Sequence, residues 1–272
     1  MRRLRLIVEY DGTDFCGWQR QANGPSIQAS LEGALHAMTG ERREVRGAGR
    51  TDAGVHAAAQ VAHADTTRAI PLRGFHLGLN SKLPRTIAVV RVDEAPPDFD
   101  ARHSARGKLY RYSIWNAPSR SALRDRFTWH VRRPLDDEKM AAAAAHLVGR
   151  HDFAAFRAAD CERETTVRSL HDVAVRRDGE LVTIDVAGDA FLKNMVRILT
   201  GTLVGVGQGR IGIDDVRAIR DARDRTKAGI TAPASGLCLV RVEYPADSDL
   251  AAEKARRAGD RKPTSGGGPG AK

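Results

Sequence analysis

The sequence is poor in cysteine and in long apolar runs, and each shortage excludes a class of protein. The three cysteines, Cys16, Cys161 and Cys238, lie far apart, which excludes a disulfide framework and a paired-cysteine metal knuckle. There is no HExxH motif and no His/Cys cluster at zinc spacing, so we expect no metal. No apolar run approaches the roughly 20 residues that span a membrane. Residues 1–5 lead into alternating residues without the apolar stretch of a signal peptide, so we expect no membrane association and a cytoplasmic location.

Positive charge exceeds negative charge, and arginine supplies most of it. The 272 residues hold 44 Lys and Arg against 34 Asp and Glu, a net charge of +10, and eight of the basic residues are lysine. About four of these ten charges belong to residues 250–272. Clustered arginine binds phosphate by charge and by paired hydrogen bonds, which favours a nucleic acid partner. A GC-rich genome also produces a chain rich in Arg and Ala, so charge alone leaves both interpretations open.

Hydrophobic periodicity predicts two stretches of similar element order. The first has strands over residues 3–10, 42–48, 60–64 and 86–92, with helices after Pro25-Ser26 and over 71–80. The second has strands over 108–115, 167–175, 181–186 and 237–244, with helices over 136–148, 191–206 and 214–223. Hairpins mixed with helices indicate an α+β fold, with a largely antiparallel sheet and helices on one side.

This order suggests a division of the chain into three parts. We expect an N-terminal α+β half at residues 1–105 and a C-terminal α+β half at residues 106–248. Residues 249–272 are basic, rich in Gly and Pro and nearly free of large apolar side chains. Such a composition buries too little apolar surface to fold, so we expect a disordered tail.

A glycine motif at residues 207–212, GQGRIG, fits the GxGxxG string of dinucleotide sites. In such a site the string follows a strand and opens a long helix within a parallel βαβ unit. Here it follows one predicted helix and precedes another. We therefore interpret it as a turn between helices and expect no NAD.

The loop at residues 47–56 is the stronger candidate for chemistry. It lies between two predicted strands and places Arg50, Thr51, Asp52 and His56 among three glycines. An aspartate that caps its own backbone, with glycines at positive φ, would make this a plain connection. A possible nucleophile two residues from a cation, on a loop between rigid strands, indicates a site instead. Both interpretations fit the pattern.

Five blocks of sequence resemble one known family. Residues 50–56, RTDAGVH, are similar to the signature loop of the bacterial tRNA pseudouridine synthase A family. Residues 10–21, YDGTDFCGWQRQ, resemble its N-terminal segment, and KLYRY (108–112), FLKNMVR (191–197) and GLCLV (236–240) match three further blocks in the family's order. The resemblance spans about residues 4–245. It departs at Cys238, where the family more often has Tyr, and at the tail.

The resemblance implies a reaction and an architecture. The reaction is cofactor-free isomerisation of uridine to pseudouridine at positions 38, 39 and 40 of the tRNA anticodon stem-loop. Asp52 would be the nucleophile, acting on a flipped-out uridine without a metal. The family works as a homodimer with one tRNA spanning both subunits. Each subunit would have two RRM-like (ferredoxin-like) halves, forming one mainly antiparallel mixed sheet with a central active-site cleft.

The resemblance also implies the substrate-binding residues, which are Tyr110, Arg50, Arg197, Leu237 and Leu239. Arg197 would pair with the Asp52 carboxylate, Tyr110 would stack on the base, and Arg50 would hold the flipped nucleotide. Leu237 and Leu239 would form apolar pocket wall. The pattern alone permits plainer roles, namely a surface arginine on an apolar helix, one member of an aromatic strand face, and strand core.

Two other functions remain possible at this point. A catalytically idle RNA-binding protein would use the same basic surface. A glycosidase-like hydrolase would need a second carboxylate near Asp52, for which Asp11 and Asp65 are remote candidates.

Overall fold

The structure, a computed structural model, describes residues 1–22, 24–161 and 163–245. Within them the chain forms five α-helices and one sheet of ten strands, which confirms the predicted α+β class. No helix in these residues combines the length and hydropathy that crossing a bilayer requires. The predicted disordered tail, residues 249–272, lies outside the described residues.

The elements follow one another in two stretches. The first contains β1 (Arg2–Tyr10), α1 (Ile27–Thr39), β2 (Arg46–Gly47), β3 (His56–Thr66), α2 (Leu72–Asn80) and β4 (Ile87–Ala95). The second contains β5 (Gly107–Trp115), β6 (Trp129–His130), α3 (Asp137–Ala145), β7 (Gly149–Asp152), β8 (Val167–Asp178), β9 (Leu181–Gly188), α4 (Met195–Gly207), α5 (Asp215–Ala222) and β10 (Leu237–Glu243).

The sheet joins the two stretches through its last strand. The strand order is β4-β1-β3-β10-β5-β9-β8-β7, with β2 beside β3 and β6 beside β5. Strand β10 runs parallel to β3 and antiparallel to β5. The only other parallel pair in the described chain is β5 with β6, so the prediction of a mainly antiparallel mixed sheet is confirmed. The RRM-like nature of the two halves and their boundary at residues 105 and 106 stay predictions.

One face of the sheet is buried under apolar side chains. In β1, Leu4, Leu6, Val8 and Tyr10 are buried and the residues between them are more exposed. In β5 the same alternation buries Tyr110, Tyr112 and Ile114. Helix α1, predicted after Pro25-Ser26, adds Ile27, Leu31 and Leu35 to the same core. This period of two is what a sheet covered on one side produces.

The opposite face carries paired charges. Arg3 binds Asp65 of the neighbouring strand through two hydrogen bonds of 2.7 and 2.8 Å. The Asp185 carboxylate, only 5% exposed, accepts hydrogen bonds from Arg111 and Arg176. Such pairing satisfies the carboxylate where water is largely excluded.

Several predicted elements differ in extent from the observed ones, among them β3, which runs over His56–Thr66 instead of 60–64, and strands β6 and β7 were not predicted. For two of the differences the structure shows the cause. Of the strand predicted at residues 42–48, only Arg46–Gly47 forms, because the Val45 N–H donates to the Glu32 side chain instead of a neighbouring strand. The helix predicted from residue 191 begins at Met195, because Asn194 has a φ of 60°, outside the helical range. The glycine motif at 207–212 does turn the chain between α4 and α5, with Gly209 at a φ of 71°.

Candidate active site

Asp52 lies in the loop between β2 and β3, and residues 10–18 hold that loop in place. The Trp18 N–H donates to the Thr51 carbonyl at 3.1 Å, and the Tyr10 and Thr51 hydroxyls are 2.9 Å apart. Gly17 has a φ of 100°, and a Cβ there would lie 2.5 Å from the Thr51 carbonyl oxygen. Only glycine permits this approach, so backbone packing sets the position of Asp52.

The electrostatic surroundings of the Asp52 carboxylate are mixed. Burial raises the pKa of Asp52, whereas the positive charges of Arg197 and Lys193 and the backbone N–H of Asn194 lower it. Burial prevails, and the pKa lies above its usual value. Asn194 immediately precedes α4, so the carboxylate faces a helix N-terminus, whose free N–H groups and dipole favour an anion.

Two hydrogen bonds, one to a backbone carbonyl and one to a side chain, orient the Arg197 guanidinium. Its Nε donates to the Ala232 carbonyl at 2.7 Å, and its Nη1 donates to Asn194 Oδ1 at 2.9 Å. Its charge acts on Asp52, although no ion pair within 4.0 Å joins the two described side chains. The guanidinium is therefore held near the carboxylate rather than in contact with it.

Tyr110 lies on β5 beside the strand that carries the two leucines. It is 7% exposed and meets the ring of Phe191 edge-on at a centroid distance of 5.0 Å. Burial raises the pKa of Tyr110, and negative charge on Tyr10 and Asp52 raises it further. The Tyr110 hydroxyl has no hydrogen bond to any described residue. Leu239 is its partner across the strand pair, so this residue shares its face of the sheet.

The other predicted contacts divide between the pocket and its surroundings. Leu237 and Leu239 are 5% and 0% exposed and belong to the core cluster. Cys238 is paired with Arg111, and it faces the other side of the sheet from Tyr110. Arg50 is exposed, and its side chain has no hydrogen bond or ion pair with any residue that the structure describes. The structure thus brings Asp52, Arg197 and Tyr110 together and leaves Arg50 at the surface.

His56, at the end of the loop, ties three segments together. Its Nδ1 accepts the Gly12 N–H at 3.0 Å, its Nε2 lies 3.2 Å from the Ser235 carbonyl, and its ring lies 4.9 Å from that of Phe127. Burial lowers the pKa of His56 against the opposing effect of Asp11. The neutral ring, with its proton on Nε2, satisfies both hydrogen bonds.

A family model described as tRNA pseudouridine synthase matches residues 6–104 and 143–245. The chain belongs to this family. It is therefore an enzyme of an isomerase family, as the sequence resemblance predicted.

The curated relatives of this synthase family agree over most of the chain. A protein of Pelobacter propionicus named tRNA pseudouridine synthase A is 53% identical over 90% of this chain and 100% of its own length. Proteins of the same name from Myxococcus xanthus and Geobacter sulfurreducens are 51% and 50% identical, over 90% of this chain and 92% and 100% of their own lengths. One solved structure, described as a Cbf5-Nop10-Gar1 complex, covers 87% of this chain, which in turn spans 48% of that chain. The TM-score is 0.37 and the sequence identity is 12%, and we base no inference about this chain on that similarity.

Sequence reasoning missed several residues that surround Asp52 in this synthase. Lys193 and Asn194 act on the carboxylate, and Phe191 packs against Tyr110. All three lie in the FLKNMVR block, from which only Arg197 was selected. Lys193 also pairs with Asp160 at 2.5 Å, and the charge of Asp160 raises the pKa of Asp52. The sequence signal that could have identified these three residues is that they lie in the FLKNMVR block, which resembles the family.

The candidate second carboxylates are engaged elsewhere in the synthase. Asp65 binds Arg3, and Asp11 binds Arg126 at 2.9 Å. Neither acts on Asp52, so neither supplies the second carboxylate that the hydrolase alternative needs, and Asp160, whose charge does act on Asp52, is paired with Lys193. Among the described residues, no group of three His, Cys, Asp or Glu side chains is arranged to hold a metal.

Proposed function

We propose that this chain isomerises uridine to pseudouridine at positions 38, 39 and 40 of the tRNA anticodon stem-loop, with Asp52 as nucleophile. Family membership and the names of the relatives support a tRNA uridine substrate. The observation that carries the role of Asp52 is its placement, half-buried in a glycine-packed loop and facing Arg197 and the N-terminus of α4.

The surroundings of Asp52 suit an attacking carboxylate. A nucleophile must be ionised, and burial opposes ionisation. Arg197, Lys193 and the Asn194 N–H offset part of that opposition. Because Arg197 is held by Ala232 and Asn194, its charge is already in place before substrate arrives, so no reorganisation is needed during the reaction.

The isomerisation breaks the bond between uracil N1 and the ribose and forms one between C5 and the same ribose carbon. The C5 hydrogen leaves as a proton and N1 gains one, so no cofactor is consumed. Tyr110, with its hydroxyl free of partners among the described residues, is the group we assign to proton transfer at C5. Its raised pKa keeps the hydroxyl protonated, so as it accepts the proton from C5 it gives up its own, and N1, which gains a proton in the reaction, is the acceptor.

The remaining residues bind the extruded nucleotide. Flipping a base out of its stack costs a few kcal/mol, which stacking and phosphate contacts offset. Leu237, Leu239 and the Tyr110 ring form the apolar wall, and exposed Arg50 is free to contact phosphate. We also propose that the protein is cytoplasmic, that it works as a homodimer and that it binds no metal.

The test uses anticodon stem-loop RNA with tritium at uridine C5, in versions with a single uridine at position 38, 39 or 40. The wild type should release tritium, Asp52→Asn should release none, and Asp178→Asn, an exposed control at the β8–β9 turn, should match the wild type. Continued release by Asp52→Asn would disprove the nucleophile. RNA binding by the wild type without release would favour the idle RNA-binding alternative.

A further inference from the structure

Residues 116–134, which link β5 to α3, form a segment that we call the basic arm. Its charged side chains are Arg120, Arg124, Asp125, Arg126, Arg132 and Arg133. Regular structure within it is limited to a 3₁₀ turn at Asp125–Phe127 and the two residues of β6. Five cations against one anion make it strongly basic, and it lies between the two stretches that the family model matches.

The basic arm docks against the segments that hold the Asp52 loop. Arg126 forms ion pairs of 2.9 Å with both Asp11 and Asp14 of the N-terminal segment. Phe127 packs on His56, the last residue of the loop. These contacts cross from the second stretch of the chain to the first, and they place Arg126 and Phe127 of the arm at the edge of the candidate active site.

Internal contacts hold the arm in one conformation. The Asn116 amide donates to the Val131 and Arg133 carbonyls at 2.8 and 2.7 Å. The Trp115 indole N–H donates to the Ser119 carbonyl, and the Arg124 guanidinium lies 5.2 Å from the Trp115 ring. A surface ordered in advance loses little conformational entropy when it binds.

Three arginines of the arm remain free for a ligand. The side chains of Arg120, Arg132 and Arg133 are exposed and have no ion pair or hydrogen bond with any residue that the structure describes. In contrast, Arg126 is bound in docking the arm and Arg124 lies against Trp115. Unpaired guanidinium groups on an ordered surface are suited to a polyanion, whose phosphates they bind by charge and hydrogen bonds.

We propose that the basic arm binds the phosphate backbone of the substrate RNA through Arg120, Arg132 and Arg133. The proposal rests on the proposed function, because it takes the substrate to be RNA. A protein partner suits this surface less well. Its exposed large apolar side chains are Leu123, which is 94% exposed, and Phe127, which is 48% exposed and already packs on His56, and scattered apolar residues of this kind are ordinary on a protein surface.

The test compares two triple variants with the same loss of charge. Arg120→Gln/Arg132→Gln/Arg133→Gln removes the free charges of the arm. The control, Arg42→Gln/Arg73→Gln/Lys82→Gln, removes three exposed charges outside the arm, one between α1 and β2 and two on or just after α2. Both are measured for binding of anticodon stem-loop RNA over a range of salt and for kcat and KM, with thermal unfolding to verify folding.

We expect the arm variant to weaken binding and raise KM by about tenfold or more, with the loss falling on KM rather than kcat. The slope of log Kd against log salt should fall by about two to three, because each phosphate contact contributes about 0.7 to 0.9. The control should change Kd less than threefold. Equal effects in the two variants, or an unchanged salt slope, would overturn the assignment.

Two further outcomes separate this proposal from the others. If wild type binds RNA through the arm but releases no tritium, the proposed reaction fails and the arm assignment stands. If Leu123→Ser abolishes a dimer seen by light scattering, and the arm variant leaves the RNA Kd unchanged, the arm is a self-association surface and the proposal is overturned.

Discussion

Replacing Gly17 by alanine tests whether backbone packing positions Asp52. The new Cβ would lie 2.5 Å from the Thr51 carbonyl oxygen, whereas ordinary contacts begin at 3.4 Å, so about 0.9 Å must be gained. The obstacle is backbone, which has no rotamer to change. The φ of 100° adds strain, because positive φ costs an alanine about 1–2 kcal/mol.

We expect Gly17→Ala to displace the Thr51-Asp52 peptide and to lower kcat about 100-fold, since a misplacement of about 1 Å costs about that much. Unfolding should become easier by about 1–3 kcal/mol, which in a chain of this size lowers Tm by about 2–4 °C per kcal/mol. Tritium release at saturating RNA measures the first effect, and a thermal melt measures the second.

Gly33→Ala is the matched control. Gly33 is exposed in α1, and a Cβ there would meet nothing within 4 Å. Alanine in a helix is favoured over glycine by about 0.5–1 kcal/mol, so this variant should be at least as stable as the wild type and equally active. If Gly17→Ala kept its kcat within threefold of the control, the glycine contact would not determine the position of Asp52.

Three further predictions concern charge and hydrogen bonding. Arg197→Met removes a charge that lowers the pKa of Asp52, so the acid limb of the pH–rate profile should move to higher pH. If the acid limb did not move, the charge of Arg197 would not control the ionisation of Asp52 during the reaction. Bonds from two arginines outweigh burial and lower the pKa of Asp185, so its stabilisation is present above the unfolded pKa and disappears as pH falls through the folded one. Urea unfolding of Asp185→Asn from pH 7 to pH 2 should show a flatter acid dependence than the wild type. Thr51→Val deprives the buried Tyr10 hydroxyl of a partner at 2.9 Å and should cost about 1–3 kcal/mol, with less additional loss when Tyr10→Phe is combined with it.

Local pattern predicted the elements whose burial repeats regularly. The strand over residues 3–10, the helix after Pro25-Ser26 and the strands over 167–175 and 181–186 all form where the sequence pattern predicted them. These signals are local, since each depends on residues within a few positions of one another.

The failures of prediction have long-range causes. Residues 42–45 lack a strand because the Val45 N–H is bound by Glu32, 13 positions away. Helix α4 begins late because Asn194 adopts a left-handed conformation; its Oδ1 accepts a hydrogen bond from Arg197, which also donates to the Ala232 carbonyl 35 positions away. The spacing of apolar residues in the sequence predicts neither effect.

The sequence by itself determined the family, the α+β class and the Asp52 loop, because the blocks and periodicities that carry them are contiguous. Tertiary structure decided what surrounds the carboxylate. Strand β10, from the end of the described chain, inserts between β3 and β5 and joins Asp52 to a tyrosine 58 positions away. The docking of the basic arm on His56 and Asp11 likewise joins residues that lie far apart in the sequence. Strand pairing over such separations follows from the whole core and not from any local pattern.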